Sequence, residues 1–262
     1  MQCGGNVNAR VLGALKSAAF GEVWRSVSEL EDNLGRVRER VRLACDRSGR
    51  PVGDVGLVAV SKGHLAGAVD ALVAEGQFLF GESKVQEARL KISATSSRAR
   101  WHMIGHLQTN KCRDVVRMFE LVESVDSLRL AVELDRCAER AGKQLGILVE
   151  VNVAGEASKF GYTPEGLLAD LEVLGGMERL DLLGLMTMAP WSPDPERSRP
   201  VFRRLAELRR ECEDRLGVPL PHLSMGMSGD FEVGIEEGAT LVRVGTAIFG
   251  ERSRPAKHDG LR

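Results

Sequence analysis

Lys62 directly follows Val58-Ala-Val-Ser61, an apolar run of strand character, so its ammonium falls at the end of a buried strand. A water-poor strand end lowers a lysine pKa toward nucleophilic values, and the natural use of such an amine is a Schiff base. Far along the chain, Ser224-Met-Gly-Met-Ser-Gly-Asp230 and Val244-Gly-Thr246 each sit at the end of another apolar run. Gly226, Gly229 and Gly245 let backbone N–H groups approach an anion. Ser228 and Thr246 can donate hydroxyls to it, and helix N-termini that begin there favour negative charge. These loops therefore offer a phosphate site. Each feature also has a plainer use, since a strand-end lysine can snorkel to solvent and Gly-Met-Ser-Gly-Asp is a turn ending in an Asp N-cap. Together, a lysine and a phosphate cup at one mouth point to pyridoxal 5′-phosphate (PLP), an aldehyde with a phosphate handle.

Such residues need a scaffold that brings them together. Eight short apolar runs alternate with helical patterns: Val55–Val60, Phe78–Phe80, His102–Ile104, Leu121–Val125, Ile147–Val153, Leu182–Met186, His222–Met225 and Leu241–Val244. Strand-then-helix repeated eight times predicts parallel strands closed into a (β/α)8 barrel of the TIM type, whose working residues lie at the C-terminal strand ends. The helices between them carry stop and start signals: Gly76 after Leu65–Val73, Gly142 after Ser127–Ala141, Pro164 near the start of Thr163–Leu174, Gly217 after Arg197–Leu216, and Gly238 after Asp230–Glu237. An additional N-terminal helix begins at the capping-box pattern Ser28-x-x-Glu31, with Leu30, Leu34, Val37, Val41 and Ala44 on one face, and ends at Gly49.

The chain thus divides into an N-terminal extension over 1–25, expected to be partly disordered, a PLP-binding barrel over 26–252, and a basic tail over 253–262. With 36 Lys+Arg against 37 Asp+Glu there is no net charge that would select a polyanion, so no nucleic-acid partner is expected. No apolar run approaches the roughly 18 residues a membrane span needs. The five cysteines are scattered and lack a C-x-x-C pair, so neither disulfides nor a metal site is suggested, and a cytoplasmic setting fits. A monomer is expected.

Val58-Ala-Val-Ser-Lys62, Phe80-Gly-Glu-Ser-Lys-Val-Gln-Glu87, Trp101-His-Met-Ile-Gly-His-Leu-Gln-Thr-Asn-Lys111, Ser158-Lys-Phe-Gly161, Leu183-Gly-Leu-Met-Thr-Met188, Leu223-Ser-Met-Gly-Met-Ser228 and Val242-Arg-Val-Gly-Thr-Ala-Ile-Phe-Gly250 occur in this order. In these motifs the chain resembles the pyridoxal phosphate homeostasis protein family, also called the YggS or PROSC family, from about Ser28 to Arg252. The resemblance implies an alanine-racemase-like barrel and a vitamin B6 cofactor, PLP, held as a Schiff base on Lys62. It places the phosphate on Ser228, Gly245 and Thr246, and Arg243 opposite the pyridine nitrogen. Ser83, Asn152 and Met225 complete the expected cofactor contacts. The family usually reads Gly-Glu-Asn-Tyr where this chain has Gly81-Glu-Ser-Lys84. Ser83 then keeps at most a shorter hydrogen bond, and Lys84 points to solvent or adds positive charge at the mouth.

Other residues are weaker candidates. His102 and His106 are read as packing or mouth-lining histidines without a carboxylate partner nearby, and Tyr162 as local packing before the Thr163 cap. Lys159 is read as a solvated loop charge or secondary anion contact. Cys112, between Lys111 and Arg113, is either a thiol of lowered pKa or an ordinary helix-surface thiol.

Three functions fit. The first, which the family resemblance implies, is a cofactor carrier or regulator of intracellular PLP without catalytic turnover, with PLP-dependent apoenzymes as its recipients. The second is a racemase-like PLP enzyme, and the third a Schiff-base aldolase without cofactor. Arg243 weighs against the second, because an arginine opposite the ring nitrogen leaves a weaker electron sink than a carboxylate does. Racemases with such an arginine add a tyrosine base from another domain, and this sequence holds one tyrosine. The aldolase gives the Ser228 and Thr246 cup no use unless its substrate is phosphorylated.

Overall fold

The computed structural model describes residues 9–156 and 159–251, and for 9–27 the backbone only. Eight parallel strands close into a barrel in chain order. They are β1 (Gly56–Val60), β2 (Leu79–Glu82), β3 (Arg100–Met103), β4 (Leu121–Val125), β5 (Leu145–Glu150), β6 (Leu180–Met186), β7 (His222–Ser224) and β8 (Leu241–Val244). The ring closes where Gly56 to Ala59 of β1 pair in register with Leu241 to Val244 of β8. All eight expected runs are strands, and the (β/α)8 expectation holds.

The helices are α1 (Ala9–Ser48), α2 (Ala66–Ala74), α3 (Val85–Ala94), α4 (Cys112–Met118), α5 (Leu128–Ala141), α6 (Pro164–Gly175), α7 (Arg199–Leu216), α8 (Phe231–Glu236) and α9 (Thr246–Phe249). Several local signals act as read. The Thr163 hydroxyl accepts the Gly166 N–H at 3.0 Å, and Gly142 and Gly217 end their helices in the left-handed conformation. Two starts differ. The N-terminal helix begins at Ala9, so Ser28 is interior and its capping box starts nothing; residues 9–27 contain no proline to stop a helix from running through. Asp230 occupies the position before α8 but does not cap it. Its carboxylate turns back to accept the Met227 N–H at 2.7 Å and the Ser198 hydroxyl at 2.8 Å, tightening the loop after β7. Of the extension expected over 1–25, residues 9–25 belong to α1 rather than to a disordered arm, while 1–8 and the tail over 253–262 lie outside the described residues.

Strand alternation gives the barrel interior two layers. Leu121, Leu148 and Leu241 form an apolar floor with Val58 and Met186. Two residues further along the same strands, on the same inward face, stand Glu123, Glu150 and Arg243, all buried. Apolar packing thus fills the bottom of the barrel, and charge is concentrated beneath its C-terminal mouth. The larger apolar core lies outside the strands, between them and the helices, where α1 contributes Leu34, Val37, Val41 and Ala44 and packs on α2, α8 and α9.

Candidate cofactor-binding site

A cavity of about 430 Å³ opens at the C-terminal mouth, and Lys62, Ser83, Ser228, Arg243, Gly245 and Thr246 all line it. This volume falls within the range of small-molecule sites. A wider groove of about 690 Å³ runs along Thr109–Asn110 and Leu128–Glu133 on the outside of the barrel, without a lysine or the glycine loops.

The two glycine loops meet in this cavity. The Ser228 hydroxyl accepts the backbone N–H groups of both Gly245 and Ala247 at 3.3 Å, which brings the hydroxyl and two N–H groups together on one side of the mouth. Gly226 lets the loop after β7 fold tightly against the start of α8: its φ is +93°, and a Cβ there would lie 2.7 Å from the Cα of Phe231. Such converging hydroxyl and N–H donors suit a phosphate, and Lys62 in the same cavity suits an aldehyde. The residues present therefore fit PLP.

Arg243 is held from below. Its guanidinium donates to the Ser224 hydroxyl and, at 2.8 Å, to the Thr187 carbonyl, while a Glu123 oxygen lies 3.9 Å away. Glu123 in turn accepts the Ser224 hydroxyl and lies 2.6 Å from Nδ1 of His102. Burial pushes the Glu123 carboxyl upward, but the His102 hydrogen bond and the charges of His102 and Arg243 outweigh it and hold the carboxyl below its usual range. Burial also lowers Arg243, opposed by the charges of Glu123 and Glu150. Glu150 lines the cavity and is pushed up to about 7, chiefly by burial, with Arg243 pulling the other way.

The structure does not bring two expected contacts to the cavity. Asn152 lies beyond the end of β5, where its amide donates to the Glu156 carbonyl at 2.8 Å and closes a local turn. Glu150 is the last inward-facing residue of β5, and the chain leaves the strand before Asn152 can continue that face. Met225 is wholly buried in the core outside the barrel, and Met227 lines the cavity in its place. The histidines also differ from expectation, since both have carboxylates: Glu123 for His102, and Asp126 at 2.7 Å for His106. Both partners come from β4 and the residue after it, a pairing across strands that spacing along the chain does not reveal. His106 lines the mouth and stacks on Phe160, with ring centroids 3.7 Å apart. Cys112 is buried rather than on the helix surface, and burial pushes its thiol up to about 12, against the lowered value considered. Tyr162 is buried as expected, its hydroxyl facing Asp170 at 3.3 Å. Lys84 is exposed, and Lys159 pairs with Glu156 at 3.4 Å.

Comparison with known proteins fits this geometry. The family model for the N-terminal domain of alanine racemase matches residues 33–253. A pyridoxal phosphate homeostasis protein of Aquifex aeolicus is 43% identical over 222 residues, covering 84% of this chain and 97% of its own. The chain belongs to the pyridoxal phosphate homeostasis protein family. The human member of this family is 38% identical over 240 residues, 86% of this chain and 87% of its own. A solved structure of PipY from Synechococcus elongatus with PLP bound is 36% identical, with a TM-score of 0.72, and covers 82% of this chain and 100% of that one. The family motifs that end β1, β7 and β8 meet at the cavity, and those after β2 and β3 add Ser83 and His106 to its lining. The signal for Glu150, which sequence reading missed, was a lone acidic residue two positions after Leu148 in an otherwise apolar run.

Proposed function

We propose that this pyridoxal phosphate homeostasis family member binds PLP in the barrel-mouth cavity and carries it, without substantial turnover of amino acids. When bound, PLP supplies an aldehyde that reacts with amines and a dianionic phosphate. Lys62 is the residue we assign to the aldehyde, Ser228, Gly245 and Thr246 to the phosphate, and Ser83 to a contact near the ring. Arg243 we assign to the ring nitrogen, its charge retained because Glu123 and Ser224 fix it from below. The single observation that carries the reading is the meeting of Lys62 with the Ser228–Gly245 donors in one cavity, in a chain similar to PipY, whose structure holds PLP.

The carrier reading is favoured over a racemase by two placements. Arginine stays protonated and cannot keep the ring nitrogen protonated as a carboxylate would, so the ring is a weak electron sink. Racemisation also needs a second acid–base group on the face opposite Lys62. The one tyrosine of the sequence, Tyr162, is turned into the protein toward Asp170. We further propose a monomeric protein of the cytoplasm, with PLP-dependent apoenzymes as recipients; among the described residues no helix is long and apolar enough to cross a membrane. The test is to load the protein with PLP and incubate it with L-alanine, L-serine and L-threonine separately in D2O. The carrier reading expects one visible chromophore per chain and at most trace deuterium at the α-carbon. Multiple turnovers per second that vanish in Lys62→Ala would establish the enzyme instead.

A further inference from the structure

The turn that presents Lys62 is fixed on both sides by side chains of β2 and α3, which belong to neither phosphate loop. The Ser61 carbonyl accepts the His64 N–H at 3.0 Å, closing a four-residue turn with Lys62 and Gly63 at its corners. Gly63 has a φ of +81°, the value a type II turn requires at its third residue. Three ionisable side chains of β2 and α3 then grip the residues flanking Lys62. Lys91 donates to the same Ser61 carbonyl at 2.7 Å, and the Ser61 hydroxyl donates to Oε1 of Glu82 at 2.6 Å. Glu87 accepts the Gly63 N–H. The grips are themselves joined, because Lys91 donates to Glu82 and lies 3.3 Å from Glu87.

Glu82 and Lys91 are almost completely buried, and the second carboxylate oxygen of Glu82 has no hydrogen-bond partner among the described residues. A buried ion pair is seldom a better way to hold a core together than apolar side chains of the same volume. Here, however, its bonds converge on Ser61, the residue before one lysine, while Glu87 holds Gly63, the residue after it. The spacing also fits the purpose, since Glu87 and Lys91 lie four apart on one face of α3 and reach Gly63 and Ser61 on either side of Lys62.

We propose that Glu82, Glu87 and Lys91 are positioning residues that clamp the Ser61–His64 turn and so set how readily the Lys62 amine reacts with PLP, while taking no part in phosphate binding. The proposal rests on Lys62 being the point of attachment. Glu87, whose side chain is 31% exposed, is the variant to make first, because its loss leaves the buried pair intact. Two quantities are measured: the affinity for pyridoxine 5′-phosphate, which has the ring and phosphate but an alcohol in place of the aldehyde, and the rate at which added PLP develops its visible chromophore. In Glu87→Ala the affinity should stay within about twofold of wild type while the rate falls about tenfold or more, the scale of a lost hydrogen bond to a charged group. Glu87→Gln keeps an acceptor oxygen and should recover most of the rate. Lys91→Met, checked for folding by its thermal midpoint, should show the same split. An unchanged rate in Glu87→Ala overturns the clamp, as does a parallel fall in rate, affinity and thermal midpoint, which would mark the network as merely structural. A wild-type protein that binds pyridoxine 5′-phosphate yet never develops a chromophore overturns the assignment of Lys62 and the clamp with it.

Discussion

Ser228 and Gly245, 17 residues apart on two different barrel loops, are joined by a hydrogen bond of 3.3 Å from the Gly245 N–H to the Ser228 hydroxyl. This bond joins the loops after β7 and β8, so the Ser228 hydroxyl and the start of α9 stand on the same side of the cavity.

Ser228→Ala removes one donor to a phosphate dianion and one link between the loops. A hydrogen bond to a charged group contributes about 1.5–3 kcal/mol, so PLP affinity should fall by on the order of ten- to a hundredfold. Thr246→Ala should act similarly. Equilibrium dialysis of PLP against both variants checks this; wild-type affinity in both would move the phosphate elsewhere.

Glu123 and Arg243 supply a stability prediction. Glu123→Ala removes the carboxylate paired with a buried guanidinium, and breaking a buried pair in this way costs about 3–5 kcal/mol. Denaturant unfolding should show a lower midpoint with little change in slope. An undiminished midpoint would mean that Thr187 and Ser224 alone suffice to hold Arg243.

Much of this arrangement was legible in the sequence. Strands announce themselves by apolar runs between glycine stops, and the β/α count gives the barrel and places Lys62, Ser83, Ser228, Arg243, Gly245 and Thr246 at its mouth. What remained hidden depends on contacts between distant segments. Helix α3 buries Lys91 beside Val85 and Ala88, which breaks the apolar period that would have disclosed it. The carboxylate partners of His102 and His106 stand on the neighbouring strand β4 and on the residue after it. Asn152 looked like a strand end only because the run Ile147–Val153 continues past Glu150, where the strand actually stops.

Glu150 predicts a pH dependence. Its folded-state pKa of about 7 lies above the ordinary value of 4.5, so the protonated form is the one the folded barrel favours. That contribution is fully present below about pH 4.5 and is lost as pH rises through about 7, with a total of order 3 kcal/mol. Wild-type stability should therefore decline from pH 5 to pH 8 relative to Glu150→Gln, whose side chain cannot ionise. Parallel stability profiles of the two proteins would show that Glu150 does not titrate in this window.

The proposed attachment of PLP to Lys62 can be read directly by reduction. Purified protein loaded with PLP is reduced with borohydride, digested and mapped by mass spectrometry. A single pyridoxyl group is expected on the peptide containing Lys62, lost together with the visible chromophore in Lys62→Ala. A pyridoxyl group on Lys84, Lys91 or Lys159 with Lys62 unmodified would contradict it.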